Sequence, residues 1–118
     1  MWVFLNDAFL SIVSKDCGKD QLLVRARRPR DIQRIFPTAR VTRCTTSDYL
    51  YRAVVAKVDV ALALANVIAD IDYSNFKNSV DDKRLHDAYL HVWMDMSAIQ
   101  PSRPYSGTGW HLPELRHR

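Results

Sequence analysis

Residues 22–37 read LLVRARRPRDIQRIFP, and the way this stretch divides decides the fold. From Leu23 onward apolar residues and arginines alternate, so an extended chain would put Leu22, Val24 and Ala26 on one side and Leu23, Arg25 and Arg27 on the other. The alternation breaks at Arg28-Pro29. Proline suits the first position of a helix, where its missing N–H removes no bond, and Ile32, Ile35 and Phe36 then form a short apolar stripe that Pro37 stops. A strand followed directly by a short helix implies a chain that crosses a sheet and packs back onto it.

Working outward from this unit, MWVFL (residues 1–5) and AFLSIVSK (8–15) both have extended character, and Asn6-Asp7 between them tolerates a tight turn, so a hairpin or one bulged strand is expected. Asp16 to Asp20 reads as a second turn, which would set AFLSIVSK beside LLVRAR. On the other side, ARVTRC (39–44) is a third strand candidate, residues 45–48 a loop, and YLYRAVVA (49–56) a fourth strand, with Tyr49, Tyr51, Ala53 and Val55 on one face and Leu50, Arg52 and Val54 on the other. VDVALALANVIADI (58–71) is helical by its alanine content and apolar nearly all round, which predicts deep packing. After the junction DYSNFKNSV, Asp81 to Gln100 has Leu85, Tyr89, Val92, Trp93, Met96 and Ile99 at three- and four-residue steps, the pattern of an amphipathic helix. Residues 101–118 hold three of the five prolines and two of the three glycines and are expected to form an extended or disordered tail.

The order ββαββαα, with an extra strand at the start, is an α+β pattern with an antiparallel sheet. Its middle matches the βαββα part of a ferredoxin-like split unit, with an early strand taking the place of the usual last one, as in a circularly permuted ferredoxin-like sheet. A chain of 118 residues that is 47% hydrophobic builds one core, so residues 1–100 are expected to be a single domain.

Several function classes lose support at this level. The apolar opening MWVFLNDAFLSIV has no basic segment ahead of it and is interrupted by Asn6 and Asp7, so it reads as strand and not as a signal peptide. No stretch approaches the roughly 18 apolar residues of a membrane helix, which points to a cytoplasmic protein with no membrane partner. Cys17 and Cys44 are isolated, without CxxC or Cys/His spacing, and are expected to be reduced, non-catalytic thiols.

The net charge of +4 is modest, but its layout is uneven. Residues 25–52 carry eight arginines, no lysine and two aspartates, a segment charge of +6, while residues 59–100 carry seven acidic and three basic groups, a charge of −4. Arginine used to the exclusion of lysine suits forked contacts to phosphate or carboxylate. Arg25, Arg27 and Arg52 are expected to share a sheet face, joined at its edge by Arg28, Arg30 and Arg43, or by Arg34 and Arg40. The bland alternatives are pairing with the acidic helices and aliphatic stems laid over the sheet.

Other candidates are weaker. Asp87, His91 and Asp95, with His86 beside them, have a spacing that could ligate a metal or could make a salt-bridged helix face. In IDYSNFK (71–77), Asp72 or Ser74 can cap the next turn while Tyr73 and Phe76 pack beneath it. Neither that segment nor Ser47-Asp48-Tyr49 supplies a nucleophile with its base or a Gly-rich phosphate cradle. No enzyme activity and no cofactor are expected. With no ribonucleoprotein-type aromatic motif, and Tyr49 and Tyr51 placed on the face opposite Arg52, base stacking is not expected either.

Taken together, MWVF, VRAR, DYLYR, IDYSNFK and HDAYLHVW resemble a family of small uncharacterised bacterial proteins over roughly residues 1–100. The resemblance implies no activity. The sequence therefore predicts a binding module that uses an arginine face for nucleic acid or a ribonucleoprotein. The alternative is a small inhibitor or adaptor docking on an acidic protein surface, a role for which the chain's size would fit a mobile-element product.

Overall fold

The computed structural model describes residues 1–101. The expected C-terminal tail, apart from Pro101, lies outside the described residues. Five strands form one antiparallel sheet: β1 (Trp2–Phe4), β2 (Phe9–Val13), β3 (Gln21–Ala26), β4 (Thr42–Arg43) and β5 (Tyr51–Ala56). Three helices accompany it, α1 (Asp31–Ile35), α2 (Lys57–Ala69) and α3 (Lys83–Ser97), with a 3-10 turn at Lys77–Ser79. The spatial order is β1-β2-β3-β5-β4. Within it, β5 lies between β3 and β4 as in a split β-α-β unit, and β2 occupies the flank where a ferredoxin-like sheet carries its last strand. The α+β reading and the permuted arrangement are both realised, with β1 added at the outer edge.

The opening pair is a hairpin, not a bulged strand. Leu5 N donates to Ala8 O at 2.8 Å around the Asn6-Asp7 turn, and Trp2 faces Ser11 while Phe4 faces Phe9. The registers Ser11 to Arg25 to Arg52 to Thr42 and Ile12 to Val24 to Ala53 then run straight across the sheet, fixing which side chains share a face.

One face is covered by α1 and α2. Leu10, Ile12, Val24, Ala26 and Ala53 from the strands meet Ile32 and Phe36 from the α1 segment and Val60 from α2 in the main core. The stripe in residues 32–36 is therefore used as its spacing suggests. Pro29 does not open the helix, however. Arg30 takes a left-handed backbone, φ 77°, and helix begins at Asp31. The other face carries a smaller cluster in which Phe4 and Phe9 pack against Val80, Leu85, Tyr89 and Phe76. The ring centres of Phe4 and Tyr89 lie 5.2 Å apart edge to face, and those of Phe76 and Tyr89 5.6 Å apart stacked. Tyr89 also ties α3 to the β1–β2 turn, its hydroxyl standing 2.9 Å from both Leu5 O and Ala8 O.

Three expectations are corrected. The turn after the junction is served by Asn75, whose Oδ1 accepts from Asn78 N at 3.1 Å, and not by Asp72 or Ser74, while α3 is capped by Asp82, whose carboxylate accepts from Leu85 N at 3.0 Å. The fourth strand begins at Tyr51, because Ser47 Oγ donates to Tyr49 O and Cys44 N to Leu50 O, folding residues 47–50 into a turn. Finally, α2 is not deeply packed. Val60, Ala63, Leu64 and Val67 face the core, but Val58, Leu62 and Ile68 on the outer side are 59–67% exposed.

Candidate functional site

The face opposite the main core is where the charged strand positions meet. Arg25 and Arg52 stand directly across from each other on β3 and β5. Like charges in this position repel, and little in the structure neutralises them. Arg25 Nη2 donates to the hydroxyl of the buried Ser11 at 2.7 Å, and Arg52 reaches only Asp16, at 4.0 Å. Their Nε atoms are buried without a partner. Arg27 continues the row and donates to the backbone oxygen of Asp48 at 2.9 Å.

Tyr49 lies beneath this row. The guanidinium carbons of Arg25 and Arg27 sit 4.6 and 4.2 Å from its ring centre, so one tyrosine ring contacts both cations. The expected placement of Tyr49 away from the arginines is thus overturned. It precedes the strand, so strand alternation says nothing about its direction.

The remaining expected site residues divide. Arg28 is internally paired: it reaches the buried Asp31 at 3.2 Å and Asp82 at 2.8 Å, bridging the start of α1 to the cap of α3. Asp31, only 2% exposed, also accepts from Phe9 N at 3.2 Å, so its charge is held from two sides. Arg30 is exposed at the left-handed position before α1. Arg43 pairs with Tyr51 in register, and Tyr51 packs against the main core, so Arg43 belongs to the edge of the helix-covered face. Arg25, Arg27 and Arg52 are therefore brought together, Arg28 adjoins them, and Arg43 is not part of the same surface.

Sequence reasoning missed the neighbours of the arginine row. A groove of about 640 Å³ runs between α3 and this sheet face, lined by Trp2, Phe4, Phe9, Tyr49 and Tyr89 with Arg27, Arg28 and Arg84 at its margins. Trp2 is 67% exposed. The signal was present in the alternation of MWVF, which puts Trp2 and Phe4 on one side, and in the four-residue spacing of Arg84, Ala88 and Val92. It needed the register Trp2 to Ser11 to Arg25 to become legible.

The other candidates find local uses. The Asp87 carboxylate is engaged by Lys83 Nζ at 2.9 Å, which draws its pKa below the ordinary carboxylate value, and His86 Nδ1 is 3.8 Å away. Among the described residues, no group of three or more His, Cys, Asp or Glu is arranged to hold a metal ion. The rings of Tyr73 and Phe76 meet at a tilt, centres 5.7 Å apart, beside the smaller cluster. Both cysteines are free. Cys44 has its thiol pKa lowered to about 7, first by the Thr46 hydroxyl, 3.4 Å from Sγ, then by Ser47 and more weakly by the charge of Arg52. No helix among the described residues is long and apolar enough to cross a membrane.

Comparison with protein-family models, with curated proteins and with solved structures finds no match for this chain.

Proposed function

We propose that this protein is a non-enzymatic binding module that takes nucleic acid, free or in a ribonucleoprotein, on the sheet face carrying Arg25, Arg27 and Arg52. The observation that carries this reading is the shortage of internal carboxylate partners among the described residues. Among the described residues, carboxylates engage only two of the eight arginines between positions 25 and 52, Arg28 closely and Arg52 at 4.0 Å. Pairing with the acidic helices accounts for Arg28 alone, through Asp82. A cross-strand arginine pair and an exposed arginine in a left-handed backbone each cost folding free energy, roughly 1 kcal/mol in the second case. A polyanion would offset that repulsion.

The test is binding as a function of salt. Each phosphate neutralised steepens the fall of log K with log salt by about 0.7 for a single strand and 0.9 for a duplex. Replacing Arg25 and Arg27 together by glutamine should flatten the slope by roughly 1.4 for a single strand and 1.8 for a duplex. Affinity that does not change between low and high salt would rule the reading out.

A second reading, an adaptor or inhibitor docking on another protein, is favoured by one observation, the exposed outer side of α2 with Val58, Leu62 and Ile68. A polypeptide that co-purifies from the native cell and is lost when Leu62 is made glutamate would support it over the first.

A further inference from the structure

We infer that the groove between α3 and the sheet holds unpaired bases, so the nucleic acid this protein takes is single-stranded. The inference rests on the nucleic-acid reading above and adds the form of the ligand. Two chemistries meet in the groove. Its floor is aromatic, with Phe4 and Phe9 in ring contact at 4.9 Å and Tyr89 against Phe4 at 5.2 Å. At its mouth stands Trp2, two-thirds exposed on the edge strand and with no ring packed on it among the described residues. Contiguous with the aromatic groove lining, this open ring forms the kind of apolar patch that marks an interaction site.

The margins supply the second chemistry. Arg27 is held by the Asp48 backbone oxygen and the Tyr49 ring, and neither it nor Arg84, exposed on α3, has a carboxylate partner among the described residues. Between Arg84 and Val92 the wall of α3 is the small side chain of Ala88, which keeps the groove open. A duplex buries its base faces within its own stack and would offer the arginines phosphates while leaving Trp2 and the groove uncovered. A single strand presents phosphates and base faces together. It can place its backbone along Arg27 and Arg84 and a base against Trp2, the combination of basic track and stacking platform that single-strand binding uses.

The experiment titrates the full chain with a fluorescein-labelled oligo(dT), and separately with a duplex of the same length, at low and moderate salt. The expected result is tighter binding of the single strand by tenfold or more. Trp2→Ala should weaken the single strand roughly five- to hundredfold, the effect of losing one stacked base, with the salt slope and duplex binding unchanged. Because Trp2 is exposed, its loss should leave the fold intact. Ala88→Gln, an exposed helix position, narrows the groove independently and should weaken the single strand selectively. Equal affinity for both forms, with both variants neutral, would overturn the groove inference while leaving the arginine face standing. No binding of either form even at low salt would overturn both.

Discussion

At the scale of single residues, the consequential side chains are those with two jobs. Tyr89 fills the smaller cluster with its ring, and its hydroxyl stands 2.9 Å from the two carbonyls that close the first hairpin. Tyr89→Phe keeps the ring and takes the hydroxyl away from Leu5 O, while Ala8 O keeps Leu5 N as its donor, which should cost about 1–3 kcal/mol, read as a lower denaturant midpoint at unchanged slope. Burial also holds this phenol above its ordinary pKa. The neutral form is thus favoured by folding, so the stabilisation is complete below about pH 10 and declines as pH rises beyond it. Tyr89→Phe should remove that alkaline sensitivity. Cys44 runs the other way. Its folded pKa is lowered to about 7, so the thiolate is the favoured form, and its stabilising contribution is present above the unfolded thiol value and lost as pH falls through 7. Alkylation of Cys44 should reach half its maximal rate near pH 7, and Thr46→Val should move that midpoint upward; a midpoint near 8.5, the ordinary thiol value, would contradict the hydroxyl contact.

At the scale of elements, α2 separates what periodicity can and cannot tell. Its inner positions Val60, Ala63, Leu64 and Val67 recur at three- and four-residue steps and pack on the sheet, while Leu62 is 59% exposed. Leu62→Glu should therefore change stability by no more than about 0.5 kcal/mol, whereas Val60→Asp, at 3% exposure, should prevent folding. Thermal melts of the two variants check the contrast. The sequence shows α2 to be apolar all round, but the number of neighbours available to cover it is a property of the assembled layers. The strands divide in the same way. The faces of β3 were legible because strict alternation leaves one choice, and β5 followed from Tyr51 onward for the same reason. Tyr49 was not legible, since hydrogen bonds from Ser47 and Cys44 make the strand begin two residues later than alternation implied. The arginine row could be anticipated, but the groove beside it could not, because it combines β1, the end of β3 and α3, which are far apart in the chain.

At the scale of the whole molecule, the two faces of the sheet are held with unequal strength. Beneath α1 and α2 lies a core of ten buried residues, whereas α3 itself buries only Leu85 and Tyr89. Beyond these, Val92, Met94 and Met96 are 37–57% exposed. Among the described residues the polar ties of α3 include the Tyr89 hydroxyl, Asp82, which caps the helix and accepts from Arg28 at 2.8 Å, and Lys77 over the Trp93 ring. Few buried contacts make an element open before the rest of the molecule does. Hydrogen exchange should thus show α3 amides released in a sub-global opening, with β3 and β5 exchanging last. Acid should enhance the difference. The Leu85 N–H and the Arg28 guanidinium hold the Asp82 carboxyl below its ordinary pKa, so its contribution is present above about pH 4 and is lost as pH falls through the lowered value. Since α3 forms one wall of the groove, a ligand seated there binds only the docked helix and must slow its opening by the factor 1 + [L]/Kd. Exchange of α3, and of β3 and β5 that open only globally, should slow by that factor as oligo(dT) is added, while amides of α2 that exchange by local fraying with α3 still docked should not. Protection that instead appears equally in α2 and α3 would mean that the ligand stabilises the molecule as a whole and does not sit against α3.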